Sequence, residues 1–146
     1  MKVLALSLIA TLSLAGCEYN GMTRAATVDD IDSECIYAAV SSVPGMEKVI
    51  DVGAEMRDVS SRKNHPMPYS LYYTNGAARA WLMLDRERHD FRQYNLYPSA
   101  LDQMPAEEVI ATRSLMMQVE HQVEDRCGVV GLTSSVKERC GWKTCK

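Results

Sequence analysis

Asn75-Gly76 limits the conformations open to this chain more than any other pair of residues. Within Tyr72-Tyr73-Thr74-Asn75-Gly76-Ala77 it is a strong hairpin signal, because a tight turn with positive φ matches the twist of its flanking strands. With those two residues in the turn, Thr74 faces Ala77, Tyr73 faces Ala78 and Tyr72 faces Arg79. Leu71 then faces Ala80, Ser70 faces Trp81 and Tyr69 faces Leu82. One side of the ribbon collects Tyr69, Leu71, Tyr73, Ala78, Ala80 and Leu82, and the other Ser70, Tyr72, Arg79 and Trp81. A one-residue slip would destroy that sorting. The same residues also admit a helix from Ala77 to Tyr94, capped by Thr74 or Asn75 and lined by Ala77, Trp81, Leu84 and Phe91.

Elements on either side extend the hairpin. Acidic Asp29-Asp30 followed by Ile31, Cys35, Ala38 and Ser42 at helical spacing predicts a helix to about Ser42, stopped by Val43-Pro44-Gly45. Between Met46 and Val59, Ile50, Val52, Ala54 and Met56 alternate with polar residues and Gly53. That favours a strand, although Val49, Val52, Met56 and Val59 fit a helix. Phe91–Tyr97 reads as another strand, ended by Pro98. Pro105 and Glu107-Glu108 open a long helix to Cys127, with Val109, Thr112, Met116, Val119 and Val123 inward and Gly128 as its stop. A short helix is expected over Ser134–Arg139. The expected fold is α+β, in the order α-β-β-β-α. A small three-stranded antiparallel sheet carries the N-terminal and long C-terminal helices on one face, stapled by disulfides. An all-α bundle is the rival.

The N-terminus is of a different kind. Lys2 is followed by an apolar run from Val3 to Leu14, too short for a hydrocarbon core that needs roughly 20 apolar residues. A basic start, a short apolar middle and small residues before a cut describe a secretory signal peptide. Leu14-Ala15-Gly16-Cys17 resembles the lipobox of bacterial lipoprotein precursors. The resemblance implies removal of residues 1–16 and a diacylglyceryl group on the Cys17 sulfur. It further implies acylation of the new amino terminus and, with Glu18 rather than Asp after the cysteine, a place at the outer membrane facing the periplasm. More than one acyl chain makes such an anchor effectively permanent. Glu18–Thr27 is polar and without periodicity, so residues 17–27 read as the lipidated cysteine and a flexible tether reaching roughly 18 Å. Residues 28–146 read as a single periplasmic domain.

With Cys17 lipidated, Cys35, Cys127, Cys140 and Cys145 remain, an even set in an exported chain that reads as two disulfides. Cys35 and Cys127 lie on the inward stripes of the two helices, which favours a 35–127 bridge and leaves 140–145 to close a small loop. Removing Lys2 leaves 15 Lys+Arg against 19 Asp+Glu, a net charge near −4, and the chain has no basic run. That argues against a nucleic-acid partner.

No nucleophile elbow, phosphate loop or metal-ligand spacing occurs in the sequence, so neither catalytic residues nor a cofactor nor a metal is expected. The acid pairs Asp29-Asp30 and Glu107-Glu108 stand where helix starts place them, and His121 beside Glu120 and Glu124 reads as a solvated helix face. Nine Met suit core filling more than copper. The unusual feature is seven Tyr and two Trp against one Phe, aromatic types suited to half-wet interfaces. Tyr72, Arg79 and Trp81, joined by Met83, share the hairpin side turned away from the helices and form the expected partner-binding patch. The sequence therefore favours a lipid-anchored, non-enzymatic protein-binding module of the inhibitor, immunity or assembly-accessory type. A structural lipoprotein touching the cell wall is the second reading and an enzyme the third.

Overall fold

The hairpin forms between β3 (Tyr69–Asn75) and β4 (Ala78–Asp85) in a computed structural model that describes residues 20–53, 68–97 and 105–141. Its turn is Gly76-Ala77, one residue later than the dipeptide suggests. Gly76 has φ 57°, Ala77 does not share the positive φ, and Asn75 already pairs with Ala78. Glycine alone at the first central position follows the II′ pattern rather than I′. Asn75 is used elsewhere: its side-chain amide donates to the Pro44 carbonyl at 3.2 Å, beside Gly45 in its left-handed conformation (φ 77°). The expected pairing is corrected by two residues along β4, so Tyr72 lies opposite Trp81, not Arg79. Because the correction is even, each side chain keeps the face assigned to it. Leu71, Tyr73, Ala78, Ala80, Leu82 and Leu84 are buried.

The sheet is twice as large as the three strands expected. β2 (Lys48–Asp51) joins β3, and β5 (Asp90–Tyr97) joins β4. β1 (Asn20–Thr27) pairs with β5 on one side and with β6 (Lys137–Cys140) on the other. The order is β2-β3-β4-β5-β1-β6, antiparallel throughout, which also excludes the all-α rival. The first correction is β1, which occupies most of the stretch read as a tether. Met22 and Ala26 turn inward and are buried, but Arg24 between them breaks the apolar alternation that marks a strand. The second is β6: helix occupies only Leu132–Ser135, and Lys137–Cys140 continues as an edge strand too short for a periodic signal. Residues 54–59, which closed the ambiguous segment after β2, lie outside the described residues, as do Cys17 and Cys145.

Three helices lie wholly within the described residues, α1 (Ser33–Ser41), α2 (Ala106–Cys127) and α3 (Leu132–Ser135), and Val52 and Gly53 after β2 are helical as well, where the alternation favours a strand. α1 starts later than Asp29-Asp30 suggest, because the Asp32 carboxylate caps it by accepting from the Glu34 amide at 3.3 Å. Its inward stripe is Ile36, Ala39 and Val40, continued by Val43, rather than Cys35, Ala38 and Ser42; Ala38 is exposed. α2 follows its expected stripe through Val109, Thr112, Met116, Val119 and Val123, widened by Leu115 and Glu120. Gly128 in the left-handed conformation (φ 66°) ends it. α1 and α2 pack on each other and on the face bearing Leu71, Leu82 and Phe91, which gives one core between helices and sheet.

At the turn after β4, Asp85 and Asp90 face each other across the strands, an unfavourable like-charge pair. Arg88 offsets it at 3.6 Å from Asp85, and Arg92 at 2.7 Å from Asp90.

Cys35 on α1 and Cys127 at the end of α2 form a disulfide with Cα atoms 5.8 Å apart and a sequence separation of 92. Cys140 is also disulfide-bonded; its expected partner, Cys145, lies outside the described residues. Closing so long a loop removes unfolded-state entropy worth about 4 kcal/mol. Urea unfolding of the Cys35→Ser/Cys127→Ser protein should show a loss of that order, and on heating a fall in Tm of roughly 15 °C.

Candidate functional site

Alternation gives the sheet two faces of different chemistry. On the helix side, the polar residues of β1, β3, β5 and β6 converge on one carboxylate. Arg24 of β1 forks to Glu120 of α2, with Nε donating to Oε1 at 2.8 Å and Nη2 to Oε2 at 2.9 Å. Its remaining amine donates to Glu138 of β6 at 2.6 Å. Glu138 in turn accepts from Arg113 Nε at 2.8 Å. Gln93 of β5 donates to Glu120 at 2.9 Å and to the Met116 carbonyl at 3.1 Å, and accepts from the Tyr73 hydroxyl. Glu120 is 1% exposed, so the solvated helix face expected around His121 holds for His121 itself, which is exposed, but not for Glu120. Every strong acceptor in the cluster is used, as burial demands. Burial, assisted by the nearby Glu120 charge, pushes the Tyr73 phenol well above its ordinary range. The Glu120 bridge holds the Arg24 guanidinium firmly cationic. The cluster is saturated, buried at Glu120, Gln93 and Tyr73 and wetter at Arg113 and Glu138, and it links α2 to β1, β3, β5 and β6.

The opposite face carries no helix among α1 and α2. Register places one side chain from each strand in a row: Ile50, Tyr72, Trp81, Tyr94, Thr23 and Arg139. Tyr72 and Trp81 have ring centroids 5.0 Å apart, tilted by 52°. Trp81 and Tyr94 are 6.4 Å apart in planes within 7° of parallel. All three rings are partly exposed. The next row runs Ser70, Met83, Arg92, Ala25 and Lys137. Where β5, β1 and β6 meet, these rows border a cleft of about 350 Å³ lined by Thr23, Ala25, Thr27, Arg92, Lys137 and Arg139, with Asp90 and Ser135 at its rim. Desolvation on this face raises the Tyr94 phenol, against the opposing pull of Arg92.

Of the expected patch, Tyr72 and Trp81 come together as direct cross-strand partners and Met83 is diagonal to them. Arg79 shares their face by alternation, and its guanidinium lies 3.4 Å from Glu108 of α2. Tyr94 completes the row and was not foreseen. Phe91–Tyr97 reads as a strand from sequence, but nothing local tells which strand it joins. Arg92, Lys137 and Arg139 were missed for the same reason.

Of the acid pairs, Asp30 lies 3.8 Å from Arg86 and Glu108 neighbours Arg79. His121 is 3.9 Å from Glu124. Desolvation pushes the Glu124 carboxyl up, but the Thr133 amide and hydroxyl bonds and the His121 charge outweigh it and hold it below its ordinary range. Among the described residues no group of three or more His, Cys, Asp or Glu is placed to hold a metal ion, and no helix is long and apolar enough to cross a membrane.

Compared with family models, with curated proteins and with solved structures, the chain matches none.

Removing the buried carboxylate takes both forked bonds from the Arg24 guanidinium and leaves it Glu138 alone, whereas removing both charges leaves no guanidinium half-matched. Glu120→Ala should cost about 3 to 5 kcal/mol in urea unfolding. Arg24→Met/Glu120→Leu should recover more than half of that loss, since Glu138 keeps Arg113 and Gln93 keeps the Met116 carbonyl.

Proposed function

We propose that this chain is a lipid-anchored cell-envelope protein that works without catalysis, binding another protein in the periplasm through the sheet face opposite its helices. The observation that carries the reading is the contact row Tyr72–Trp81–Tyr94 on three adjacent strands. Large aromatic side chains already held by one another lose little freedom when covered, and Tyr, Trp and Arg recur as interface anchors. The half-apolar row is bordered by Ile50 and Met83 on one side and by charged residues on the other, which is the core-and-rim character of a protein interface. The Cys35–Cys127 disulfide suits an oxidising compartment. The lipobox-like Leu14-Ala15-Gly16-Cys17 supplies the anchor, with Glu18 favouring the outer membrane.

Two experiments test the reading. Crosslinking in intact envelopes followed by purification should recover a partner with the natural protein. The Tyr72→Ala/Trp81→Ala variant should recover it at least tenfold less; equal recovery removes this face as the interface. Cys17→Ser should leave an unprocessed, unacylated precursor, visible by intact mass. A natural protein that itself retains Met1 or lacks fatty acid rules out the anchor.

A further inference from the structure

The cleft at the β1, β5 and β6 end of the open face is electrically unlike the rest of the chain. The protein carries a net charge of −3, yet among the described lining residues Arg92, Lys137 and Arg139 gather here against one acid, Asp90. Arg92 is engaged with that acid at 2.7 Å. Lys137 and Arg139 project from alternate positions of an edge strand, both are exposed, and neither has an ion-pair partner among the described residues. Two cations separated by one residue, neither ion-paired among the described residues, with the Thr27 hydroxyl close by, make a receptor for carboxylates.

Register ties this cleft to the aromatic row. Arg139 terminates the line Ile50–Tyr72–Trp81–Tyr94–Thr23, and Lys137 terminates the line through Met83 and Arg92. Apolar and aromatic character therefore fills one half of the track and positive charge the other. Six strands spaced about 4.8 Å apart give a track of roughly 24 Å, the span of about seven extended residues.

We propose that the partner presents an extended acidic segment across these strands, with aliphatic or aromatic side chains against Tyr72, Trp81 and Tyr94 and Asp or Glu side chains in the cleft. This assignment rests on the protein-binding reading above and names the chemistry of what is bound. Charge complementarity selects the acidic end. Ile50 and Met83 beside the rings match apolar side chains and offer nothing to the hydroxyls of a sugar. Asp85 and Asp90 on the same face, with the overall negative charge, oppose a flat anionic bilayer.

The test is selection of a random twelve-residue peptide display library on the full chain, on Lys137→Glu/Arg139→Glu, on the milder Lys137→Gln/Arg139→Gln and on Trp81→Ala. The natural protein should enrich peptides in which Asp or Glu follows or precedes an apolar pair within seven positions. Binding of a selected peptide should weaken about tenfold when salt is raised from ~0.05 M to ~0.5 M. Charge reversal should abolish the acidic enrichment and weaken the selected peptide more than tenfold, and neutralisation should do so by a smaller factor. Both substituted positions are exposed, and an unchanged urea midpoint verifies the fold. Peptides without acidic excess, no enrichment at all, or the same peptides selected by the charge-reversed variant would overturn the proposal. So would preferential binding to phosphatidylglycerol vesicles or to polygalacturonate, the two other anionic surfaces included as probes. Acidic enrichment that persists on Trp81→Ala, together with unchanged partner recovery by Tyr72→Ala/Trp81→Ala, would leave the cleft standing and remove the aromatic row.

Discussion

Arg24 is the residue on which the arrangement of strands depends. It lies on β1, the strand enclosed between β5 and β6, and it faces the helices, where an apolar side chain would be the simple choice. A cation placed there has to be matched, and the match is supplied by Glu120, 96 residues away, and Glu138, 114 residues away. The fork onto Glu120 fixes the rotation of α2 above the sheet. The third donor fixes β6 as the outer neighbour of β1. Buried pairs of this type contribute little net stability, because desolvation consumes most of the Coulomb gain. Their effect is selective: a register in which Arg24 meets Leu or Val is heavily penalised, so the alternatives are worse even where the native state is not much better.

That selection also shapes the other side of the sheet. Once β1 and β6 are aligned through Arg24 and Glu138, Thr23 and Arg139 must stand side by side on the reverse face, and Ala25 beside Lys137. The two-residue correction in the hairpin does the same work at the other end by bringing Tyr72 to Trp81. Each row on the open face is thus a consequence of polar and apolar matching on the closed one.

How much of this could be read from sequence divides along the range of the interactions. The hairpin faces and the inward stripe of α2 depend on neighbours within a few residues, and both are legible. The α1–α2 bridge is legible as well, because Cys35 and Cys127 are the chemically conspicuous residues of their helices, even though the α1 stripe itself is displaced by one position. β1 is not legible: Asn20-Gly21-Met22-Thr23-Arg24 carries no apolar alternation, and what makes it a strand is the pair of carboxylates contributed by α2 and β6. β6 has only four residues and borrows its conformation from β1. The turn was displaced because the Asn75 amide is drawn to the Pro44 carbonyl, a contact across 31 residues. The candidate site suffers most. A row across six strands has one member per strand, so no stretch of sequence contains two neighbours of it except through the hairpin.

The early start of β1 also governs how the domain would stand on a membrane. If Cys17 bears the lipid, Glu18 and Tyr19 are all that intervene before Asn20, which gives a leash of about 10 Å where a free tether would give nearly twice that. The end of β1 at Asn20, with Tyr97 paired beside it, would then stay next to the headgroups whatever the tilt of the sheet. A domain held so closely shares a thin layer with other anchored proteins, and its encounters with them would be governed by surface density instead of bulk concentration.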